Sequence, residues 1–143
     1  MLEIIFCWIV LTLGLGALTG VLAKRYGVEI AIATFATLVV AANITAIKTV
    51  NIGPFLVPAA VIAYSTTFLV TDIITEKWGK EEARKAVWAG FWANIVLVIS
   101  VMIVVSWPTA SQSPVNHEAF RNVLGPLPRV VLASMIAYLV SQH

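Results

Sequence analysis

Long apolar runs separated by short clusters of charge constrain this 143-residue chain more than any other feature of its sequence. A bilayer core about 30 Å thick needs roughly 20 apolar residues in a helix, because a helix satisfies its own backbone polar groups in lipid. Only 11% of the residues are charged, which is too few to cover a water-facing surface. The pattern therefore predicts an all-α, polytopic transmembrane helix bundle.

Five segments approach the length of a membrane span. We predict spans over residues 4–23, 30–47, 54–78 and 86–107, and a fifth span that begins near Leu127 or Arg129. Residues 51–54, Asn-Ile-Gly-Pro, predict a short turn before the third span. Within that span, Pro58 is expected to bend the helix and Gly79 to cap its end.

The last apolar stretch is short. Residues 130–141 would extend only about 18 Å as a helix, too little to cross a bilayer. We therefore expect one transmembrane domain over residues 1–143 that is incomplete at its C-terminal end, with about five spans visible of six or more. The alternative is a tilted helix over residues 127–143. Residues 108–128 are expected to be a loop with a short surface helix.

The basic residues predict the orientation in the membrane. Six of them fall on one side of the predicted spans: Lys24, Arg25, Lys77, Lys80, Arg84 and Lys85. Only Lys48, Arg121 and Arg129 fall on the other side. Cytoplasmic loops carry the excess of Lys and Arg, so we expect a multi-pass protein of the cell membrane with its N-terminus outside. The net charge of +2 reflects this topology and not a nucleic-acid partner.

Small and polar residues inside the spans predict helix packing. Gly16 and Gly20 have the spacing that lets two helices approach closely. Asn94 is expected to hydrogen-bond to a neighbouring helix. For Asn43 the sequence leaves helix packing and substrate binding equally open.

Motifs for catalysis and for cofactors are missing from the sequence. The chain has no GxSxG, HExxH, CxxC or Walker A motif. Cys7 has no partner cysteine, and His117 has no second ligand at metal spacing. We therefore expect no enzyme activity, no metal and no cofactor.

Two acids near the end of the third span are the strongest candidates for a binding site. Asp72 and Glu76 are four residues apart and so share one helical face. A carboxylate in a membrane helix usually faces a partner or a polar cavity. The pair could accept hydrogen bonds from N–H groups of a planar solute or take up a coupling proton. Alternatively, the two acids could form an interfacial salt-bridge cluster with Lys80, Arg84 or Lys85.

Polar residues in the later part of the chain also carry a resemblance to a known family. From about residue 41 onwards the sequence resembles the queuosine precursor transporters, also grouped as “putative vitamin uptake transporters”. The matching residues are Asn43-Ile44 with Lys48, then Pro58, Thr71-Asp72, Glu76, Gly79, Ala83-Arg84, residues 133–138 (Ala-Ser-Met-Ile-Ala-Tyr) and Ser141-Gln142.

The resemblance implies a helical unit of about six spans that takes up 7-deazaguanine bases. It also implies that Asn43, Asp72, Glu76 and Gln142 contact the substrate, although Gln142 could be only an interfacial polar residue. Arg84 would pair with the inner acidic cluster or gate the inner mouth.

Two departures from the family pattern stand out. The glutamine at the position of Gln142 is usually followed closely by an aspartate and further helices, whereas this sequence stops at His143. Residues 4–23 also form an additional leading helix that not every member has.

The sequence therefore predicts an uptake transporter for queuosine or archaeosine precursors, with a 7-deazapurine base as substrate. The lipid bilayer is an expected partner, and a homo-oligomer or a separate ATPase module remains open. The alternatives are a substrate-capture subunit that works with such an ATPase and a non-transporting membrane scaffold.

Overall fold

The computed structural model describes residues 2–141, and the predicted contact residue Gln142 lies outside them. Six helices and one two-stranded sheet follow each other along this part of the chain. They are α1 (Leu2–Tyr26), α2 (Val28–Thr45), β1 (Thr49–Ile52), β2 (Phe55–Pro58), α3 (Val61–Trp78), α4 (Lys80–Ser106), α5 (His117–Leu124) and α6 (Leu127–Ser141). This architecture confirms the predicted all-α bundle.

Four helical segments of the described chain are long and apolar enough to cross a membrane. They are Ile5–Tyr26, Val28–Thr45, Lys80–Ser106 and His117–Val140. The third predicted span, residues 54–78, corresponds to α3, which is not among the four and whose 18 residues include Asp72, Glu76 and Lys77. The predicted short surface helix is α5, and it leads through Gly125 and Pro126 directly into α6.

A β-hairpin replaces the predicted start of the third span, so the boundary at Pro54 was wrong. Strands β1 and β2 pair antiparallel, with Ile52 opposite Phe55. The two-residue connection needs a positive φ, which Gly53 supplies at 61°. Pro58 does not bend a helix, because it lies at the end of β2, where its missing N–H is tolerated. The short strands gave too little periodicity to be distinguished from helix.

Helix α2 lies at the centre of the bundle and packs against α1, α3, α4 and α6. The main core joins Phe35 and Leu38 of α2 to Val70 and Ile74 of α3 and to Ala86 of α4. Removing such side chains from contact with their surroundings would cost packing energy even in lipid, where dispersion contacts drive helix association. A separate cluster of Val101, Leu127 and Val131 holds α6 against α4.

Glycines bring α1 against α3, as the GxxxG spacing predicted. A Cβ atom built on Gly16 would lie 2.6 Å from the Cδ2 atom of Leu69. One turn further along, a Cβ atom on Gly20 would lie 3.8 Å from Ile73 and from the Nζ atom of Lys77. The absence of a side chain at Gly16 therefore makes room for α3.

Gly79 forms the joint between α3 and α4. Its φ of 89° and ψ of 172° are a conformation that essentially only glycine adopts. The Gly79 N–H donates to the carbonyl of Thr75 at 3.1 Å and so caps α3, as predicted. This sharp reversal makes α3 and α4 antiparallel neighbours, and it places Lys77 and Lys80 at the same end of the bundle.

Candidate functional site

A half-open cavity with a volume of about 610 Å³ lies between α2, α3, α4 and α6. A volume of this size is within the range of small-molecule sites, about 300 to 1,000 Å³. Its lining consists of Phe35, Val39, Tyr64, Thr67, Phe68, Thr71, Thr75, Lys80, Ala83, Arg84, Val87, Trp88, Gly90, Phe91, Asn94, Ser134, Met135, Tyr138 and Leu139. The lining combines apolar walls with a few polar groups, which is typical of a ligand site.

Helix α3 presents a row of three hydroxyls to the cavity. Thr67, Thr71 and Thr75 are four residues apart and so lie above one another on one face. Each hydroxyl donates its proton to a carbonyl of its own helix: Thr67 to Tyr64 at 2.6 Å, Thr71 to residue 67 at 2.9 Å and Thr75 to residue 71 at 2.8 Å. Because a hydroxyl has one proton and two lone pairs, the row offers hydrogen-bond acceptors to a ligand.

A buried asparagine pair connects α2 to α4 beside the cavity. Asn43 Nδ2 donates to Asn94 Oδ1 at 3.0 Å, and the two residues are only 5% and 1% exposed. Asn94 lines the cavity, whereas Asn43 lies behind it. The predicted interhelical bond of Asn94 is confirmed, and of the two interpretations left open for Asn43 the structure supports helix packing.

Aromatic rings line the cavity in two edge-to-face groups. The rings of Tyr64 and Phe68 meet edge to face at 5.3 Å between centroids. Phe91 makes the same kind of contact with Trp88 at 5.9 Å and with Tyr138 at 5.4 Å. Edge-to-face contacts fix the orientation of rings, so the cavity has ordered aromatic surfaces against which a planar ligand could lie.

The charged residues in the lining are both cations and lie where α4 begins. Lys80 and Arg84 border the cavity one turn apart. Arg84 Nη1 lies 4.0 Å from Glu81, and both side chains are largely exposed, so this pair adds little stability. The guanidinium of Arg84 thus remains able to interact with a solute at this mouth of the cavity.

The predicted site residues fall into different places. Asp72 and Glu76 are exposed on α3 and do not line the cavity, because they lie about 100° around the helix from Thr71 and Thr75. Their role as substrate contacts stays a prediction. Of the predicted site residues that lie within residues 2–141, Arg84 alone lines the cavity.

The alternative salt-bridge cluster is not formed in residues 2–141. Arg84 pairs with Glu81 and Lys85 pairs with Glu82, and neither Asp72 nor Glu76 has an ion pair in this part of the chain. The described residues also contain no cluster of His, Cys, Asp and Glu that could hold a metal ion. His117 instead lies 3.3 Å from the hydroxyl of Thr109.

The sequence analysis missed most of the cavity lining. Thr71 entered only through the family resemblance, and Thr67 and Thr75 were not singled out, although the four-residue spacing of the three threonines is visible in the sequence. Ser134 and Tyr138 entered only through the family resemblance, because their place in the cavity wall depends on the packing of α6 against α4.

Comparison with known proteins decides the family. The family described as “Putative vitamin uptake transporter” matches residues 58–143, more than half of the chain. The chain belongs to this family. A curated protein of Bacillus subtilis (strain 168), named “Probable queuosine precursor transporter”, is 39% identical over 108 residues, which are 76% of this chain and 46% of the relative. The chain therefore spans about half the length of this Bacillus subtilis relative.

The matched region contains most of the cavity. Helices α3, α4 and α6 all lie within residues 58–143, and they supply every lining residue except Phe35 and Val39 of α2. No solved structure matches the chain. Family membership and the apolar helices together make this chain a membrane protein of a transporter family.

Proposed function

We propose that this chain serves in a membrane uptake transporter for queuosine or archaeosine precursors, the 7-deazaguanine bases. The observation that carries the proposal is the family match over residues 58–143, because this segment supplies nearly all of the cavity wall. The name of the Bacillus subtilis relative supports the substrate class.

The chemistry of the cavity suits such a base. A 7-deazaguanine is planar and presents several N–H donors, and the hydroxyl oxygens of Thr67, Thr71 and Thr75 are acceptors for them. The rings of Trp88 and Phe91 offer surfaces for stacking. These contacts would replace hydrogen bonds to water as the base leaves solution.

Asp72 and Glu76 would act at the inner mouth rather than within the cavity. Asp72 lies about 9 Å along α3 from Trp78, so its carboxylate can reach the interface at modest cost. There the acids could receive the N–H edge of a departing base or a coupling proton. Asn43 would act through Asn94, and Arg84 would guard the same mouth. Gln142 keeps its proposed role as a substrate contact.

The arrangement of the helix ends supports the proposed orientation in the cell membrane. The contact between Gly20 and Lys77 places the basic end of α1 beside the basic end of α3. At the opposite end, Trp8 and Ile52 border an apolar cavity of about 420 Å³ between α1 and the hairpin. Six bases at the Lys77 end of the bundle would then face the cytoplasm. They are Lys24, Arg25, Lys77, Lys80, Arg84 and Lys85.

The proposal is tested in cells that can neither make nor import 7-deazaguanine bases. Cells that express the full-length gene product should accumulate the labelled base above the level of an empty-vector control. Absence of uptake by a well-expressed protein would refute the proposal. Uptake only in the presence of a copurifying ATPase would instead establish the substrate-capture alternative, and product formation by purified protein would indicate an enzyme.

A further inference from the structure

The side-chain NH2 group of Asn94 donates no hydrogen bond within residues 2–141. Asn94 is 1% exposed, and its Oδ1 atom accepts from Asn43. Among residues 2–141, its Nδ2 atom has no acceptor, although every fully enclosed side-chain polar atom of that part has a hydrogen-bond partner. The Nδ2 atom must therefore border the cavity that Asn94 lines. Buried polar groups are rarely left in this state unless a ligand or water meets them.

The direction of the Asn94 amide follows from its partner. Asn43 Nδ2 donates to the carbonyl of Val39 at 3.1 Å as well as to Asn94 Oδ1. The Val39 carbonyl can only accept, so Asn43 must present its NH2 group here. Turning the Asn94 amide over would bring two NH2 groups together, which is unfavourable. Asn43 thus holds the Asn94 oxygen and leaves the Asn94 donors to the cavity.

Hydroxyl acceptors lie on the neighbouring helix α3, the first of them about one turn nearer the charged mouth than Asn94. Asn94 is about 21 Å along α4 from Lys80, and Thr67 is about 16 Å along α3 from Trp78. Because Gly79 joins the two helices as antiparallel neighbours, these residues share the end of the cavity remote from the charged mouth. Thr71 follows one turn nearer the mouth. The same cavity wall thus contains one amide donor and, about one and two turns nearer the mouth, two hydroxyl acceptors.

We infer that Asn94 and the hydroxyls of Thr67 and Thr71 select bases with a lactam edge. In such an edge a ring carbonyl lies beside a ring N–H and an exocyclic NH2 group. Asn94 donates to the carbonyl, and the threonine oxygens accept from the N–H groups. An adenine-type base reverses the first two positions and would leave Asn94 without an acceptor, which a buried site disfavours. The inference rests on the proposed function and names its specificity-determining residues.

Competition binding to the purified full-length protein tests this inference. Labelled 7-deazaguanine is displaced by unlabelled 7-deazaguanine or 7-deazaadenine. Asn94→Asp keeps the size of the side chain and an acceptor for Asn43 but removes the donor. Thr71→Val removes one acceptor at nearly constant volume and covers the case that Asn94→Asp fails to fold. Thr37→Val is the matched control, because the exposed Thr37 hydroxyl bonds only its own helix at Ala33.

We expect the native protein to prefer the guanine analogue by roughly tenfold or more. Both cavity variants should lose most of that preference, and Thr37→Val should keep it. An unchanged preference in a folded Asn94→Asp or in Thr71→Val would overturn the inference and leave the transport proposal standing. A native protein that binds neither base would overturn both.

Discussion

Asn43 on α2 and Asn94 on α4 share a hydrogen bond of 3.0 Å in the interior of the helix bundle. The bond joins two residues that are 51 positions apart in the sequence, and one of them forms part of the cavity wall. In lipid, a polar pair of this kind both attaches the helices and fixes the direction of the amide groups. If the cavity binds the proposed base, helix packing and ligand recognition depend on the same contact.

Substitutions that remove this contact should show a measurable coupling between Asn43 and Asn94 in the free energy of unfolding. We expect Asn43→Leu and Asn94→Leu each to destabilise the protein and the double variant to cost less than their sum, with a coupling of about 0.6 to 1.7 kcal/mol. A double-mutant cycle measured by reversible unfolding in mixed micelles gives this value. Strict additivity of the two substitutions would show that the bond contributes nothing.

The close approach of α1 and α3 predicts a size limit at Gly16. Gly16→Val should destabilise the fold by about 1 to 3 kcal/mol through overpacking against Leu69. Leu69→Ala should partly rescue it. Gly14→Ala is the control, because a Cβ atom there meets nothing within 4 Å and helix propensity improves. Thermal unfolding in detergent ranks the stabilities of these variants. Equal losses of stability at Gly14 and Gly16 would contradict the close packing of Gly16 against Leu69.

The orientation can be measured with single cysteines in a Cys7→Ser background. Leu56→Cys lies on the exposed hairpin, and Glu81→Cys lies near the joint between α3 and α4. In intact spheroplasts an impermeant maleimide should label Leu56→Cys, whereas Glu81→Cys should react only after the membrane is opened. The reverse pattern would place the N-terminus inside.

The two acids on α3 give a test of the inner mouth. Asp72→Asn and Glu76→Gln should each lower uptake of a 7-deazaguanine by roughly tenfold, because neutral amides cannot take up a coupling proton or accept as strongly. Glu118→Gln on α5 is an exposed control. Uptake that is unchanged at equal expression would show that neither acid takes part in transport.

Much of the fold could be predicted because lipid restricts the backbone so strongly. The apolar runs identified α1, α2 and α4, and Gly79 marked the end of α3. The hairpin at residues 49–58 could not be predicted, since four-residue strands have little periodicity. Proline suits both the first turn of a helix and a turn between strands. Only the pairing of Ile52 with Phe55 shows that Pro54 lies in a turn between strands.

The site was harder to predict than the fold. Asp72 and Glu76 were predicted as site residues because charge in a membrane helix is costly. The cavity is instead lined by the neighbouring face of α3, which carries the three threonines. The sequence shows that Asn43 and Asn94 are polar, but their pairing depends on how α2 crosses α4. Neutral polar groups give a weaker signal than charges, although they make up most of the polar lining of this cavity.

The most direct test of the proposed transport is influx into proteoliposomes that contain the purified full-length protein. Labelled 7-deazaguanine should enter these vesicles faster than protein-free vesicles, and unlabelled 7-deazaguanine should suppress the influx at a roughly tenfold lower concentration than 7-deazaadenine. Influx equal to that of protein-free vesicles, under each imposed proton or sodium gradient, would contradict the account.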